Sequence, residues 1–151
     1  MHTNDPALNL FDPLISRWFA REIGPPTDIQ QKAWPHISAG EHVLISAPTG
    51  SGKTLTAFLW AINQLVTGAW EKDRTHVLYV SPLKALNTDI RHNLLHPLSA
   101  LGQEFDKQGR PFPQVRVQTR SGDTPQADRR RMLRHAPEIL ITTPESLNLL
   151  R

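Results

Sequence analysis

A chain of 151 residues with 38% hydrophobic residues has the length and composition of one globular domain with its own core. Its apolar runs are shorter than the roughly 20 residues that cross a bilayer, and its N-terminus has no signal-peptide core, so we expect no membrane segment and a cytoplasmic protein. The absence of cysteine excludes disulfides and thiolate metal sites, and a net charge of +3 permits nucleic-acid binding without establishing it.

The first forty residues predict a lead-in and two helices. Residues 1–12 are expected to be flexible. Apolar residues at helical spacing predict a first helix from Leu14 to the turn at Gly24, which two prolines follow. A second helix, capped by Thr27 or Asp28, extends to Gly40. Three aromatic residues of these helices are predicted to be core residues, with base stacking as the alternative: Trp18, Phe19 and Trp34.

Residues 47–54 have the sequence APTGSGKT, which fits the phosphate-binding loop except that alanine replaces the first glycine. A short apolar strand at 42–46 precedes it, and an amphipathic helix at 55–66 follows. Glycines let successive amides face one phosphate, and the helix N-terminus adds the positive end of its dipole. Lys53 and Thr54 are the predicted catalytic residues: the lysine reaches the β- and γ-phosphates, and the threonine hydroxyl holds Mg²⁺. The predicted phosphate contacts are Thr49, Gly50, Ser51, Gly52, Lys53 and Thr54; the alternative is a simple glycine-serine turn.

Three further strands, at residues 77–80, 115–118 and 138–142, each lead into a loop and a helix. This alternation predicts an α/β fold with a parallel sheet that helices cover on both faces. The strand ends that feed the loops then lie along one edge, where open α/β folds bind ligands. Their hydroxyl, glycine and cationic residues suit phosphate groups, so we expect four loops to share that edge: 47–54, 81–86, 120–124 and 143–145.

The helix after the third of these loops is predicted to be capped by Asp123, Thr124 and Pro125. It carries the densest basic run of the chain, at residues 129–134. A solvated helix face is the predicted role of these arginines, with a DNA contact as the alternative.

Together these motifs resemble the superfamily-two DEAD/DEAH-type helicases, and more closely the large helicase-related (Lhr) family. Loop 47–54 is similar to their motif I, and GPPTDIQ at residues 24–30 resembles their Q motif, whose glutamine reads adenine. One carboxamide can accept from the amino group of adenine and donate to N7. The resemblance therefore implies that Thr27 and Gln30 contact ATP, with an exposed helix glutamine as the alternative.

Three later motifs imply contacts with the backbone of a single nucleic-acid strand. SPLKAL at 81–86 resembles motif Ia, RSGDT at 120–124 the family's R-x-G-D-T element, and TTPESL at 142–147 motif Ib. Backbone contacts carry no base readout, so DNA and RNA both stay open as substrates. The residues so implied are Ser81, Pro82, Leu83, Lys84, Arg120, Gly122, Asp123, Thr124, Thr142, Thr143, Pro144 and Glu145.

Motif II of the family, an acidic pair that completes the magnesium site and orients water, has no counterpart among the 151 residues. The resemblance implies that residues 13–151 form the N-terminal part of a first RecA-like motor domain, a three-layer P-loop NTPase fold truncated before motif II. We expect this cut to leave residues 43–46 with an unpaired side and the chain alone to lack ATP hydrolysis.

For the intact enzyme, the resemblance implies an ATP-dependent DNA helicase of DNA repair that translocates 3′ to 5′. Its cofactors are ATP and Mg²⁺. Its partners are single-stranded DNA or an RNA-DNA hybrid, together with a second RecA-like domain and C-terminal domains of the same protein. The alternatives are a P-loop hydrolase or kinase acting on a small molecule and a non-catalytic nucleic-acid-binding module.

Overall fold

A three-stranded parallel sheet organises residues 5–48, 50–82 and 88–148, the residues that the computed structural model describes. Its strands are β1 (Val77–Val80), β2 (Val117–Arg120) and β3 (Ile139–Thr142), in the order β1-β3-β2. The apolar strand β3 is central and pairs in parallel with both neighbours. The predicted parallel α/β sheet is therefore confirmed.

Six α-helices surround the sheet in the described residues: α1 (Pro13–Glu22), α2 (Asp28–Ser38), α3 (Lys53–Val66), α4 (His96–Lys107), α5 (Gln126–Arg134) and α6 (Pro144–Leu147). A π-helical turn at Arg91–Leu95 leads directly into α4. Pro97 has no N–H to donate to the preceding turn, and it lies just after the π-helical turn.

Side-chain caps fix the starts of the first two helices. Asp12 accepts from Leu14 N, and Thr27 forms a capping box with Gln30 at the start of α2. Helix α5 has Pro125 at its N-cap position and no side-chain cap. The predicted cap by Asp123 and Thr124 is wrong because the Thr124 hydroxyl accepts from Ser121 N instead.

The core lies between the helices and one face of the sheet. The predicted apolar stripe of α3 is buried, and so are Ile139 and Ile141 of β3. Trp34 is fully buried, its indole nitrogen donates to Thr56 O at 2.9 Å, and Phe19 packs edge-on against it. The prediction that Trp18, Phe19 and Trp34 are core residues is confirmed.

The first described residues pack more closely than a flexible lead-in would. Ala7, Leu8 and Phe11 are buried, and a 3₁₀ turn forms at Leu8–Leu10. The Phe11 ring lies edge-on to Trp34 at a centroid distance of 4.8 Å. The domain boundary near residue 12 stays a prediction, but the residues before it contribute to the core.

Two of the predicted strands differ from the structure. Residues 41–48 form no ladder with the described part of the chain, and Leu44 is 95% exposed. Strand β2 begins at Val117 rather than at residue 115, because the Arg116 N–H donates to the Glu138 carboxylate. Among the described residues, no helix has the length and apolar content to span a membrane.

Candidate functional site

Two glycines of the loop before α3 have left-handed backbone conformations. Gly50 and Gly52 both have φ of +82°, which costs glycine little and other residues about 1–2 kcal/mol. Lys53 begins α3, and its Nζ donates to the Ala47 carbonyl oxygen, so the ammonium group is held against the start of the loop. Thr49, a predicted phosphate contact, lies outside the described residues.

The first turn of α3 supplies further donors. Backbone N–H groups at the start of a helix have no intrahelical acceptor, and here they belong to Lys53 and Thr54. Within the described residues no cluster of three His, Asp or Glu side chains could hold a metal.

The Q-motif residues contact this loop directly. A Cβ atom added to Gly52 would lie 2.8 Å from Gln30 Nε2, and the Thr27 hydroxyl donates to Ser51 O at 3.5 Å. Gln30 is 2% exposed, so the alternative of an exposed helix residue is wrong. Its Oε1 accepts from Thr27 N at 2.9 Å, which leaves that oxygen one lone pair for a further donor.

Two ring contacts fix the direction of α3 relative to the sheet. Phe58, near the start of α3, packs on Tyr79 near the end of β1 with ring centroids 5.1 Å apart. Trp70, after the end of α3, stacks on His76, just before β1, at 5.2 Å. Helix α3 therefore runs antiparallel to β1, and its N-terminal end with Lys53 points to the edge where β1 ends.

The three later loops leave the sheet at that same edge. Val80 and Arg120, the last residues of the outer strands, are both in register with Thr142 of β3. Ser81 N donates to Thr142 O at 3.1 Å, which ties the start of the first loop to the central strand. Ser81 and Pro82 are described, whereas Leu83 and Lys84 lie outside the described residues.

The predicted strand contacts in TTPESL divide into buried and exposed residues. Thr142 and Thr143 are 0% and 2% exposed; the first donates its hydroxyl to Arg120 O, and the second caps α6. Pro144 and Glu145 are exposed. The two threonines are therefore closed off from solvent, and Pro144 and Glu145 are the exposed residues among these four.

The loop at 120–124 contains an anchor that sequence reasoning missed. Gly122 and Asp123 are exposed, while Arg129 of α5 reaches back to the loop carbonyls of Ser121 and Gly122. Because Arg129 stands in a run of arginines, its sequence context predicted a solvated face. Helix α5 has no buried residue, so it has no apolar face at helical spacing that could have indicated which arginine turns toward the protein.

The opposite edge of the sheet holds a buried carboxylate. Burial raises the pKa of Glu138, but hydrogen bonds from the Arg116 guanidinium and from the backbone N–H groups of Asp73 and Arg116 outweigh it and lower that pKa to about 2. Arg116 Nη2 lies 3.1 Å from Glu138 Oε1 and also contacts Asp73. This ionised network joins the starts of all three strands.

Known proteins match the part of the chain that carries these motifs. The family model described as DEAD/DEAH box helicase matches residues 27–151. The chain belongs to this family. Among curated members of the helicase family, it is 50% identical to an Lhr helicase/probable uracil glycosylase of Mycolicibacterium smegmatis and 48% identical to the ATP-dependent helicase Lhr-Core protein 2 of Thermococcus barophilus.

These helicases are much longer than the chain. The alignments cover 99% and 91% of this chain but 10% and 16% of the two relatives. The structure of Mycobacterium smegmatis helicase Lhr bound to ssDNA and AMP-PNP superposes with a TM-score of 0.85 at 48% identity, covering 95% of this chain and 18% of that one. The DUF1998 helicase MrfA bound to DNA and AMPPNP gives a TM-score of 0.64 at 28% identity, with 91% of this chain and 17% of the other covered.

Proposed function

We propose that this chain forms the ATP-binding and strand-contacting part of an ATP-dependent DNA helicase similar to Lhr. The observation that carries the proposal is the contact between Gln30 and Gly52, which joins an adenine-reading motif to a phosphate-binding loop in one packed unit. A small-molecule kinase has no need of three further loops at the edge toward which Lys53 points. Relatives named as ATP-dependent helicases support the same conclusion.

In the nucleotide site, the chain binds and orients ATP. Gln30 and Thr27 contact the adenine end, and the loop residues Gly50, Ser51 and Gly52 offer amides to the phosphates. Lys53 places its charge on the β- and γ-phosphates, and the Thr54 hydroxyl ligates Mg²⁺. When bound, ATP would supply the phosphoryl group that passes to water, and Mg²⁺ would neutralise its charge, with an acidic pair from motif II of the longer protein completing the magnesium site.

On the edge formed by the three later loops, the chain contacts the sugar-phosphate backbone of one strand. Ser81, Pro82, Arg120 and the exposed residues of the other two loops lie on this edge, and Leu83 and Lys84 are proposed to extend it. The intact protein then moves 3′ to 5′ along single-stranded DNA in the cytoplasm and separates duplexes or RNA-DNA hybrids during repair. A second RecA-like domain and C-terminal domains complete the motor.

Replacing the phosphate-contacting lysine tests the proposal. In the full-length protein, Lys53→Ala removes the cation from the site of developing charge, so we expect DNA-stimulated ATPase activity to fall about a hundredfold or more. Strand separation, measured with a fluorescent duplex, falls with it. The matched control is Lys72→Ala, which removes an exposed lysine outside these loops and leaves both activities unchanged. ATPase activity and strand separation that persist in Lys53→Ala contradict the proposal.

A further inference from the structure

Arg129 of α5 donates hydrogen bonds to the backbone of the loop at 120–124. Its Nη2 donates to Ser121 O at 3.2 Å and to Gly122 O at 3.0 Å, and its Nε is buried. The next two residues, Arg130 and Arg131, are exposed. Arg129 thus directs its guanidinium at the loop backbone, while its neighbours direct theirs at solvent.

A second pair of hydrogen bonds closes the same loop. Ser121 N donates to the Thr124 hydroxyl at 2.8 Å, and Thr124 N donates to Ser121 O at 3.2 Å. The peptide units between these residues are therefore fixed in orientation at both ends. These bonds define the backbone conformation of the loop in the structure.

Peptide planarity gives the direction of the remaining donors. In a trans peptide the N–H points opposite to the C=O of the preceding residue. Since the carbonyls of Ser121 and Gly122 both accept from Arg129, the N–H groups of Gly122 and Asp123 both point away from it, and both residues are exposed. Within the described residues neither N–H donates to an acceptor. Two successive amides that point the same way form an anion-binding nest.

The fold does not require glycine at position 122, whereas close approach of a ligand to the backbone would. Its φ is not positive, and a Cβ atom there would meet nothing within 4 Å. An alanine is therefore compatible with the folded backbone, and the missing side chain leaves the amide open to close contact. Between residues 120 and 134, five arginines stand against two aspartates, so the surroundings favour an anion despite the Asp123 carboxylate.

We propose that Arg129 is a positioning residue that orients the Gly122 and Asp123 amides to bind one phosphate of a single nucleic-acid strand. The inference rests on the proposed function, since the phosphate belongs to the strand that the edge loops contact. Arg129 itself touches no phosphate; it acts through the two carbonyls that it holds.

Strand binding by the full-length protein tests this role. Single-stranded DNA with a fluorescent end label is titrated, at several salt concentrations, into wild type, Arg129→Gln, Arg129→Lys and Arg130→Gln. We expect Arg129→Gln to weaken binding about tenfold more than Arg130→Gln, because it also removes two hydrogen bonds from a charged donor. Arg130→Gln is the control, since it removes the same charge from an exposed site. Arg129→Lys recovers part of the difference, because an ammonium group can donate to one of the two carbonyls.

A phosphate-level readout separates positioning from simple loss of structure. With oligonucleotides that carry one neutral methylphosphonate linkage, wild type loses affinity at one linkage position, and this loss disappears in Arg129→Gln and in Gly122→Ala. The KM for ATP changes little in these variants, because the nucleotide loop is separate. Equal affinities of Arg129→Gln and Arg130→Gln, or a methylphosphonate effect that persists in Arg129→Gln, overturn the inference alone. A wild-type protein that binds no single strand overturns the proposed function instead.

Discussion

At Gly52 an added Cβ would lie 2.8 Å from Gln30 Nε2, whereas at Gly50, with the same φ of +82°, it would meet nothing within 4 Å. Gln30 has little room to move, because it is buried and closes the capping box of α2. We expect Gly50→Ala to lower the free energy of unfolding by about 1–2 kcal/mol through backbone strain. Gly52→Ala adds a further cost of about 1–3 kcal/mol from overpacking.

Urea unfolding of the full-length protein, followed by a signal from this domain, measures the difference between the two glycine variants. Combining Gly52→Ala with Gln30→Ala removes the overpacking part, so the double variant is more stable than the sum of the single changes predicts. Equal destabilisation at the two glycines is the result that contradicts a tight contact between Gln30 and the loop.

The sequence was enough to assign residues to motifs, but it did not predict which contacts their individual atoms make. Gln30 and Gly52 could be assigned to two motifs of one nucleotide site, yet their contact depends on how α2 packs beside the loop. Thr142 and Thr143 lie in a motif expected to bind a strand, and their hydroxyls bond within the protein. Arg129 shows the converse, because its bonds to Ser121 and Gly122 require a loop conformation that no local pattern encodes.

Between elements, the Glu138 network connects the starts of the three strands. The Glu138 carboxylate accepts from Asp73 N before β1 and from Arg116 N before β2, and Glu138 itself immediately precedes β3. Because its side chain is 2% exposed, removing it leaves Arg116 without a buried partner. We expect Glu138→Gln to destabilise the sheet by about 2–3 kcal/mol, less than the roughly 3–5 kcal/mol of a fully buried pair, since Arg116 is partly exposed.

The same network predicts how stability changes with pH. The pKa of Glu138 is about 2 in the folded protein and 4.5 ordinarily, so its contribution is fully present above pH 4.5 and is lost as the pH falls toward 2. The free energy of unfolding of wild type is therefore expected to fall more steeply over this window than that of Glu138→Gln. Hydrogen bonds from Arg110 and Arg21 also lower the pKa values of Asp12 and Glu104. Both carboxylates are present in wild type and in Glu138→Gln, so their contributions cancel in the difference between the two profiles. Parallel pH profiles contradict the prediction.

Local sequence patterns predicted helices and their caps better than they predicted which strands pair. The helical stripe of α3 and the capping residue Thr27 are local signals, and the structure confirms both. Residues 42–46 have the same apolar character as β3, but a strand also needs a neighbour distant in sequence. In the described residues β3 has such neighbours on both sides and residues 42–46 have none.

On the scale of the whole molecule, apolar side chains of the described residues face solvent on the segment at 41–48 and on β1. Leu44 is 95% exposed on the extended segment before the phosphate loop, and Leu78 and Val80 are 48% and 40% exposed on β1. Exposed apolar strands favour association between chains. We expect the 151-residue chain to self-associate at high concentration, and Leu44→Lys with Leu78→Lys to reduce this.

Light scattering after size-exclusion chromatography measures the association. Leu133→Lys is the matched control, because Leu133 is 84% exposed on the arginine-rich helix α5 rather than on the segment at 41–48 or on β1. A monomeric wild-type chain, or an equal effect of the control substitution, contradicts the assignment of association to Leu44 and β1.

The buried indole of Trp34 offers a built-in optical reporter of the nucleotide loop. Its Nε1 donates to the carbonyl of Thr56, and the Thr56 hydroxyl donates to Gly52 O, so two hydrogen bonds separate the ring from the last loop glycine. Indole emission responds to changes at that nitrogen. Nucleotide binding that shifts Gly52 is therefore expected to change the tryptophan fluorescence of the protein, and the loop's motion becomes visible in real time without any attached dye.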